Sequence, residues 1–157
     1  MSFQITRAKD SDLSLMQRFF YQTVTTYGSK IFTKSEIKIY SRLATNKIYW
    51  QKKFKEYFIY NAKWNGEIVG SFSMDKTGSI EFIFVHMEYH GKGIANQLYD
   101  KLEEIARENN IKILTTPINL LTKSFFEKQD FEIIKNSVNV VGGEEVVTYS
   151  GVKKLKS

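Results

Sequence analysis

The chain of 157 residues contains no cysteine, one proline and two histidines. Without cysteine there is no disulfide framework, no thiolate nucleophile and no thiolate metal site. Two histidines put a histidine-rich ligand set out of reach, so no metal is expected. No apolar run approaches the ~18 residues needed to span a bilayer, so no membrane partner is expected. The opening Met1-Ser-Phe-Gln-Ile-Thr-Arg7 lacks the apolar core of a secretory signal. The expectation is a cytoplasmic protein, which the lack of cysteine also fits.

What is present suits one domain spanning residues 1–157 with a core of its own. The formal charge is +6. Two readings of it stand side by side: a solvated lysine-rich surface, or a polyanionic ligand such as a phosphorylated cofactor or nucleic acid.

The apolar periodicity divides the chain. Ile5–Ala8 reads as a strand. Leu13, Met16, Phe20 and Val24, behind Asp10 and Asp12, mark an amphipathic helix ending near Gly28. Thr33 and Glu36 have capping-box spacing. Residues 46–56 fit helix or loop. Tyr57–Lys63 and Ile68–Met74 are strands around an Asn65-Gly66 hairpin turn. Ser79–His86 is the longest apolar strand. A helix starts near Gly93, with Ile94, Leu98, Leu102, Ile105 and Ala106 as its buried stripe. Ile111–Thr116 is a strand closed by Pro117, and Thr122–Gln129 is a short helix. Phe131–Val141 and Glu144–Val152 form a last hairpin around Gly142-Gly143. This order predicts a mixed α/β fold with one parallel crossover.

The chemistry concentrates in the loop after Ser79–His86. A helix start offers unpaired N–H groups and a positive dipole end, which attract phosphate. Gly91 and Gly93 have no Cβ, so a pyrophosphate can approach the backbone, and His90 and Lys92 add donors. A glycine-softened turn with no ligand is the bland alternative. A Rossmann site would want glycine at Asn96 and an acid where the next strand ends in Thr115-Thr116. A Walker loop would want a hydroxyl after Lys92, where Gly93 stands.

The segment Phe84-Val-His-Met-Glu-Tyr-His-Gly-Lys-Gly-Ile-Ala95 resembles the cofactor motif of GNAT acetyltransferases, Arg/Gln-x-x-Gly-x-Gly/Ala between a strand and a helix. His90 stands at the first position, where the family has Arg or Gln, Gly93 at the fourth and Ala95 at the sixth. Farther on, Asn119-Leu-Leu-Thr-Lys-Ser-Phe-Phe-Glu-Lys-Gln-Asp-Phe131 is similar to the family's Asn-x-x-Ala-x-x-Phe-Tyr-Glu-Lys-x-Gly-Phe. Thr122, Phe126 and Asp130 replace Ala, Tyr and Gly there. The order and spacing of the two motifs also match, and the second variant looks like one bacterial branch.

The resemblance implies a GNAT-type fold: a central, mostly antiparallel sheet splayed between the strands at Ser79 and Ile111 and flanked by helices. It implies acetyl-CoA as co-substrate, with the pantetheine arm on the backbone of Phe84 and Val85. The pyrophosphate would sit at His90, Gly91, Lys92, Gly93, Ile94 and Ala95. Asn119 would lie near the thioester and Phe126 near the sulfur. A helix cap and a core phenylalanine are the alternative readings of these two. The implied activity is direct acetyl transfer to a primary amine, on a small molecule or a peptide, by a monomer or a homodimer, with no nucleic acid.

An alkylammonium must lose a proton, and Glu81 is the candidate base. Alternation puts Ile80, Phe82 and Phe84 on one face and Glu81 with Ile83 and Val85 on the other. A salt-bridged sheet residue is the alternative reading. Phe126 stands where relatives have the tyrosine that protonates the thiolate; Tyr149 is the nearest substitute as the acid, with a core or surface tyrosine as its alternative reading. His86 reads either as facing the acceptor or as a partly exposed histidine without a role, and Tyr89 as a loop anchor. Two further readings are a non-catalytic CoA-binding module of the same fold and a basic single-strand nucleic-acid binder.

Overall fold

The computed structural model describes residues 3–30, 32–136 and 138–156. Strand β1 (Gln4–Arg7) leads into helices α1 (Leu13–Tyr27), α2 (Lys34–Ala44) and α3 (Lys47–Glu56). Strands β2 (Phe58–Trp64), β3 (Glu67–Met74) and β4 (Ile80–Val85) follow, then α4 (Ile94–Glu108), β5 (Ile113–Ile118) and α5 (Lys123–Lys128). Strands β6 (Glu132–Lys135), β7 (Asn139–Val141), β8 (Glu144–Val146) and β9 (Tyr149–Lys154) complete the chain.

Capping fixes the helix starts. Glu36 N donates to Thr33 Oγ1 at 3.1 Å and Thr33 N to Glu36 Oε1 at 3.0 Å, which closes the capping box of α2. Tyr49 N donates to Asn46 Oδ1 at 3.0 Å, so residues 47–56, open between helix and loop by pattern, are a helix.

Two antiparallel half-sheets make up the centre, β1-β2-β3-β4 and β5-β9-β6. They meet at one point, where Ser79 forms a parallel bridge with Thr115 and Thr115 N donates to Gly78 O at 3.0 Å. Gly78 permits the approach: at φ +101°, a Cβ there would stand 2.3 Å from the Ile113 carbonyl oxygen. No further ladder pair joins β4 to β5 among the described residues, so the expected splay and the β4–α4–β5 crossover are both present.

Each face of the first half-sheet carries a core. On one, the α4 stripe Ile94, Leu98, Leu102 and Ile105 packs on Val69, Phe72 and Ile80. On the other, Met16, Phe19, Phe20 and Val24 of α1 and Trp50 of α3 pack on Ile59, Phe82 and Phe84. Trp50 is fully buried and its indole N–H donates to Ala44 O at 3.0 Å, so its burial leaves no polar group unpaired. Burying each such side chain contributes about 1.5–3 kcal/mol.

Three expectations need correction. Pro117 does not close its strand: β5 continues to Ile118, with Pro117 opposite Ser150. The alternation set by Thr115, whose N–H turns to β4, puts the proline nitrogen on the same open edge, where no partner is missed. The last hairpin is present around Gly142-Gly143, but its pairing falls into two ladders, β6/β9 and β7/β8, joined through Asn136 N donating to Thr148 O at 2.8 Å. Gly142 and Gly143, at φ +58° and +82°, make its tip. The simple alternation along β4 also fails: Ser73 pairs with Phe82 and Met74 with Ile80, so Glu81 is the extra residue of a bulge. Ile80 therefore packs beneath α4, while Glu81 joins the face of Phe82 and Phe84.

Candidate active site

The gap between β4 and β5 opens from the Ser79–Thr115 contact, and the two motifs lie along it. On its β4 side, beyond the Ser79–Thr115 bridge, no strand pairs with the outer edge among the described residues. His86 N donates inward to Val69 O at 2.8 Å, and the Phe84 carbonyl oxygen lies 3.2 Å from where a Cβ on Gly70 would stand. Both residues thus spend their backbone groups on β3, and alternation turns those of Val85 to the gap. Of the two residues expected to meet the pantetheine arm, the register exposes Val85.

The Val85 carbonyl accepts from His90 Nε2 at 2.9 Å. A carbonyl only accepts, so Nε2 carries the hydrogen and Nδ1 is the free nitrogen. The imidazole is thus turned to the strand rather than to the loop's amides. A short helical turn, Met87–Tyr89, separates the two; His86 Nδ1 accepts from Glu88 N at 3.3 Å. His86 packs edge-on between Tyr27 and Tyr89, with ring centroids 6.4 and 5.9 Å away. Tyr89 also packs against Trp64, which anchors the loop.

At the start of α4, Gly91 and Gly93 take left-handed backbone, φ +78° and +79°, and Gly93 is the N-cap residue. No side chain caps the helix, and none of the amides from Gly91 to Asn96 donates to a described protein acceptor. A Cβ on either glycine would meet no atom within 4 Å. Ile94, 2% exposed, pins the first turn into the core, while Ala95 is half-buried behind it and Lys92 is exposed. Unpaired N–H groups, a helix dipole, a lysine and open space above bare backbone suit a diphosphate. The residues present therefore fit the pyrophosphate of a coenzyme A.

Across the gap, the Asn119 carboxamide oxygen accepts from Leu121 N at 2.8 Å and Thr122 N at 3.1 Å. It caps the turn into α5 and leaves its Nδ2 for other use. Phe126 is 4% exposed, with its ring 5.1 Å from that of Phe131, so it serves the core. Tyr149 opens β9 opposite Ile118, at the end of β5, and is partly exposed.

Glu81 lies two residues past the point where the half-sheets touch. Its Oε1 accepts from Ser73 Oγ at 2.6 Å and from Lys53 Nζ of α3. Its Oε2 has no protein partner among the described residues. Lys53 is buried, its ammonium 4.4 Å from the Tyr57 ring centroid and 5.3 Å from that of Tyr49. Burial, with the charge of Glu81, pushes the Tyr49 phenol up to about 12. Burial chiefly, then the charges of Glu36 and Glu81, raises Tyr40 as well. Both phenols stay protonated beside the carboxylate. Pattern reading missed Lys53 as the partner of Glu81, and Tyr49, whose hydroxyl accepts from Lys53 Nζ at 3.4 Å, beside it. Their spacing of four on one helix was the available signal, hidden while residues 46–56 had no assigned structure.

Eight of the 23 aromatic side chains are buried, among them Phe19, Phe20, Trp50, Phe72 and Tyr99, and most of the others pack partly buried against the two cores. No group of three metal-ligating side chains occurs among the described residues. No described helix is long and apolar enough to cross a membrane.

Comparisons with known proteins agree with this geometry. A GCN5-related N-acetyltransferase structure from Rhodopseudomonas palustris superposes with a TM-score of 0.81 at 18% identity, covering 99% of this chain and 97% of its own. A PaiA N-acetyltransferase from Thermoplasma acidophilum, solved with coenzyme A, gives 0.80 at 17% identity over 99% and 100%. A GNAT-family acetyltransferase from Staphylococcus aureus Mu50 gives 0.74 at 16% identity over 99% and 100%. These identities establish the fold. No curated protein matches by sequence. The sequence model of the acetyltransferase (GNAT) family matches residues 23–131, more than half of the chain, and with this fold and this open helix start the protein belongs to the GNAT acetyltransferase family.

Proposed function

We propose that this protein is an acetyl-CoA-dependent N-acetyltransferase that acetylates a primary amine in a ternary complex. The observation that carries the reading is the run of unpaired amides from Gly91 to Asn96 beside the open edge of β4. The coenzyme supplies an acetyl thioester. Gly91 through Ala95 hold its diphosphate through backbone N–H groups, with Lys92 adding charge. Val85 pairs with the pantetheine arm, and His90 yields the Val85 carbonyl as it seats. Phe84, on the neighbouring backbone, keeps the strand in place through β3. Asn119 Nδ2 and the Phe126 ring border the arm from the other side.

Glu81 takes the ammonium proton at Oε2, while Lys53 and Ser73 fix the carboxylate through Oε1. The free amine would attack, a C–N bond forming as the C–S bond breaks, and the second proton leaving the nitrogen would replace the one that the departing thiolate takes up. The Val85 N–H faces the developing oxyanion. Holding both reactants in one gap supplies much of the acceleration. The thiolate takes its proton from Tyr149 or from water, and Tyr149→Phe separates the two. One chain fold and one site account for the whole reaction, with acetyl-CoA and the amine as partners.

Thermal unfolding with coenzyme A, followed by thiol release over an amine panel, tests this. A hundredfold excess over the dissociation constant adds ~2.7 kcal/mol of stability. Melting unchanged by saturating coenzyme A, or binding without turnover of any amine, rejects the enzyme reading.

A further inference from the structure

The net charge is not spread evenly. Residues 28–56 hold eight basic and two acidic side chains, and the other 128 residues hold fifteen of each, so this one segment accounts for the whole +6. It contains helices α2 and α3. Lys34, Lys38 and Arg42 recur at every fourth position, a stripe along about 12 Å of α2. Lys52 and Lys55 share one face of α3 with Ile48. All five cations are exposed, and none is ion-paired among the described residues. The inner faces differ. Tyr40, Ala44, Trp50 and Phe54 pack on the core, and the buried Lys53 pairs with Glu81 beside Tyr49. The two helices therefore border the carboxylate on the inside and carry the charge on the outside.

On the acetyltransferase reading, on which this inference rests, an acceptor approaching Glu81 past these helices meets a positive field. That field repels a polycationic amine and gathers an anion. The anion must be extended: a single phosphate is held by donors that converge on it, whereas these cations are spread over the outer faces of two helices. Ile39 and Ile48, 55% and 77% exposed, lie among them. An acidic peptide with apolar side chains uses both features. A nucleic-acid strand would seek stacking partners, but the aromatic side chains of α2 and α3 turn inward. A lipid surface would seek a continuous apolar face, and two isoleucines on helices of 11 and 10 residues do not make one. A peptide also brings a primary amine of its own, at a lysine or at its N-terminus.

We propose that the outer faces of α2 and α3 dock an acidic peptide and that this peptide carries the acceptor amine. Fluorescence polarisation on the full chain, followed by thiol release from acetyl-CoA, is the test. The probes are a labelled peptide of alternating Glu and Leu around one Lys, and the same peptide with Gln for Glu. A single-stranded oligonucleotide of equal charge and phosphatidylserine vesicles are the competitors. The acidic peptide is expected to bind at least about tenfold more tightly than its Gln counterpart at about 0.1 M salt. It should lose most of that advantage near 1 M, where the screening length shortens from about 10 to 3 Å. Lys38→Glu with Arg42→Glu should weaken the acidic peptide about tenfold and lower its kcat/KM alike, without lowering that of a small amine. Lys52→Glu with Lys55→Glu repeats the test on the other helix should the first variant unfold. Equal binding of the two peptides, binding indifferent to both variants, or tighter binding of the oligonucleotide or the vesicles overturns the proposal. Turnover of small amines with the bound peptide's lysine untouched overturns the acceptor assignment and leaves the enzyme reading standing. Peptide bound as expected while no amine at all is acetylated rejects the enzyme reading instead, and the docking face stands without it.

Discussion

Gly93 offers a test in which stability and binding separate. The residue sits at φ +79° as the N-cap of α4, and a Cβ there would meet no protein atom within 4 Å. Gly93→Ala therefore introduces no clash. It carries the left-handed penalty of about 1–2 kcal/mol, reduced by the ~0.4–1 kcal/mol that alanine gains through a less disordered unfolded chain. The net cost is about 1 kcal/mol, or about 2–4 °C in Tm for a domain of this size. The new methyl group, however, projects into the space assigned to the diphosphate. Losing one charge-assisted hydrogen bond, ~1.5–3 kcal/mol, weakens coenzyme A binding roughly 10- to 150-fold. Gly66→Ala is the matched control: φ is +77° and the surroundings are equally open, but it lies in the β2–β3 turn. It should lose the same few degrees and bind coenzyme A as the parent does. Calorimetric titration with coenzyme A, together with melting curves, reads both quantities. If Gly93→Ala binds within about threefold of the parent, the diphosphate does not lie on this helix start.

Glu81→Gln keeps the shape and removes the base, so turnover should fall by about 10²–10⁴ with coenzyme A affinity unchanged. A folded variant retaining more than about a third of parental turnover below pH 8 removes Glu81 from the reaction. Asp130 ends α5 at φ +67°, where the family motif has glycine. Asp130→Gly should raise the stability by about 0.5–1 kcal/mol, and an unchanged or lower Tm would contradict that strain. Burial pushes the Asp75 carboxyl up, but hydrogen bonds from Thr77, Ser79 and Gly78 outweigh it and hold it below its ordinary value. The stability this lends is complete above the unfolded pKa and is lost as pH falls through the folded one. Asp75→Asn cannot titrate, so its Tm should fall less steeply than the parent's below about pH 4, and parallel curves would show that Asp75 carries no such linkage.

The sequence by itself determined the element order, the amphipathic stripe of α4 and the two motifs, because each is a local matter of spacing, capping and glycine placement. The family, and the glycine-flanked helix start at which a diphosphate is proposed to bind, could be read before any coordinates. Tertiary structure decided what depends on pairing between distant segments. The bulge at Glu81 turns a carboxylate that simple alternation assigns to one face toward α3 and the other. Only folding brings Lys53 to it from 28 residues away. Pro117 reads as a strand terminator until the open edge of β5 shows that its missing N–H faces no partner. Asn119 caps the turn into α5 and Phe126 packs in the core, facts of partner and neighbour that the motif did not carry. Hydrogen-bond partners and packing neighbours depend on segments far apart in the chain, and neither is written in the spacing of a single segment.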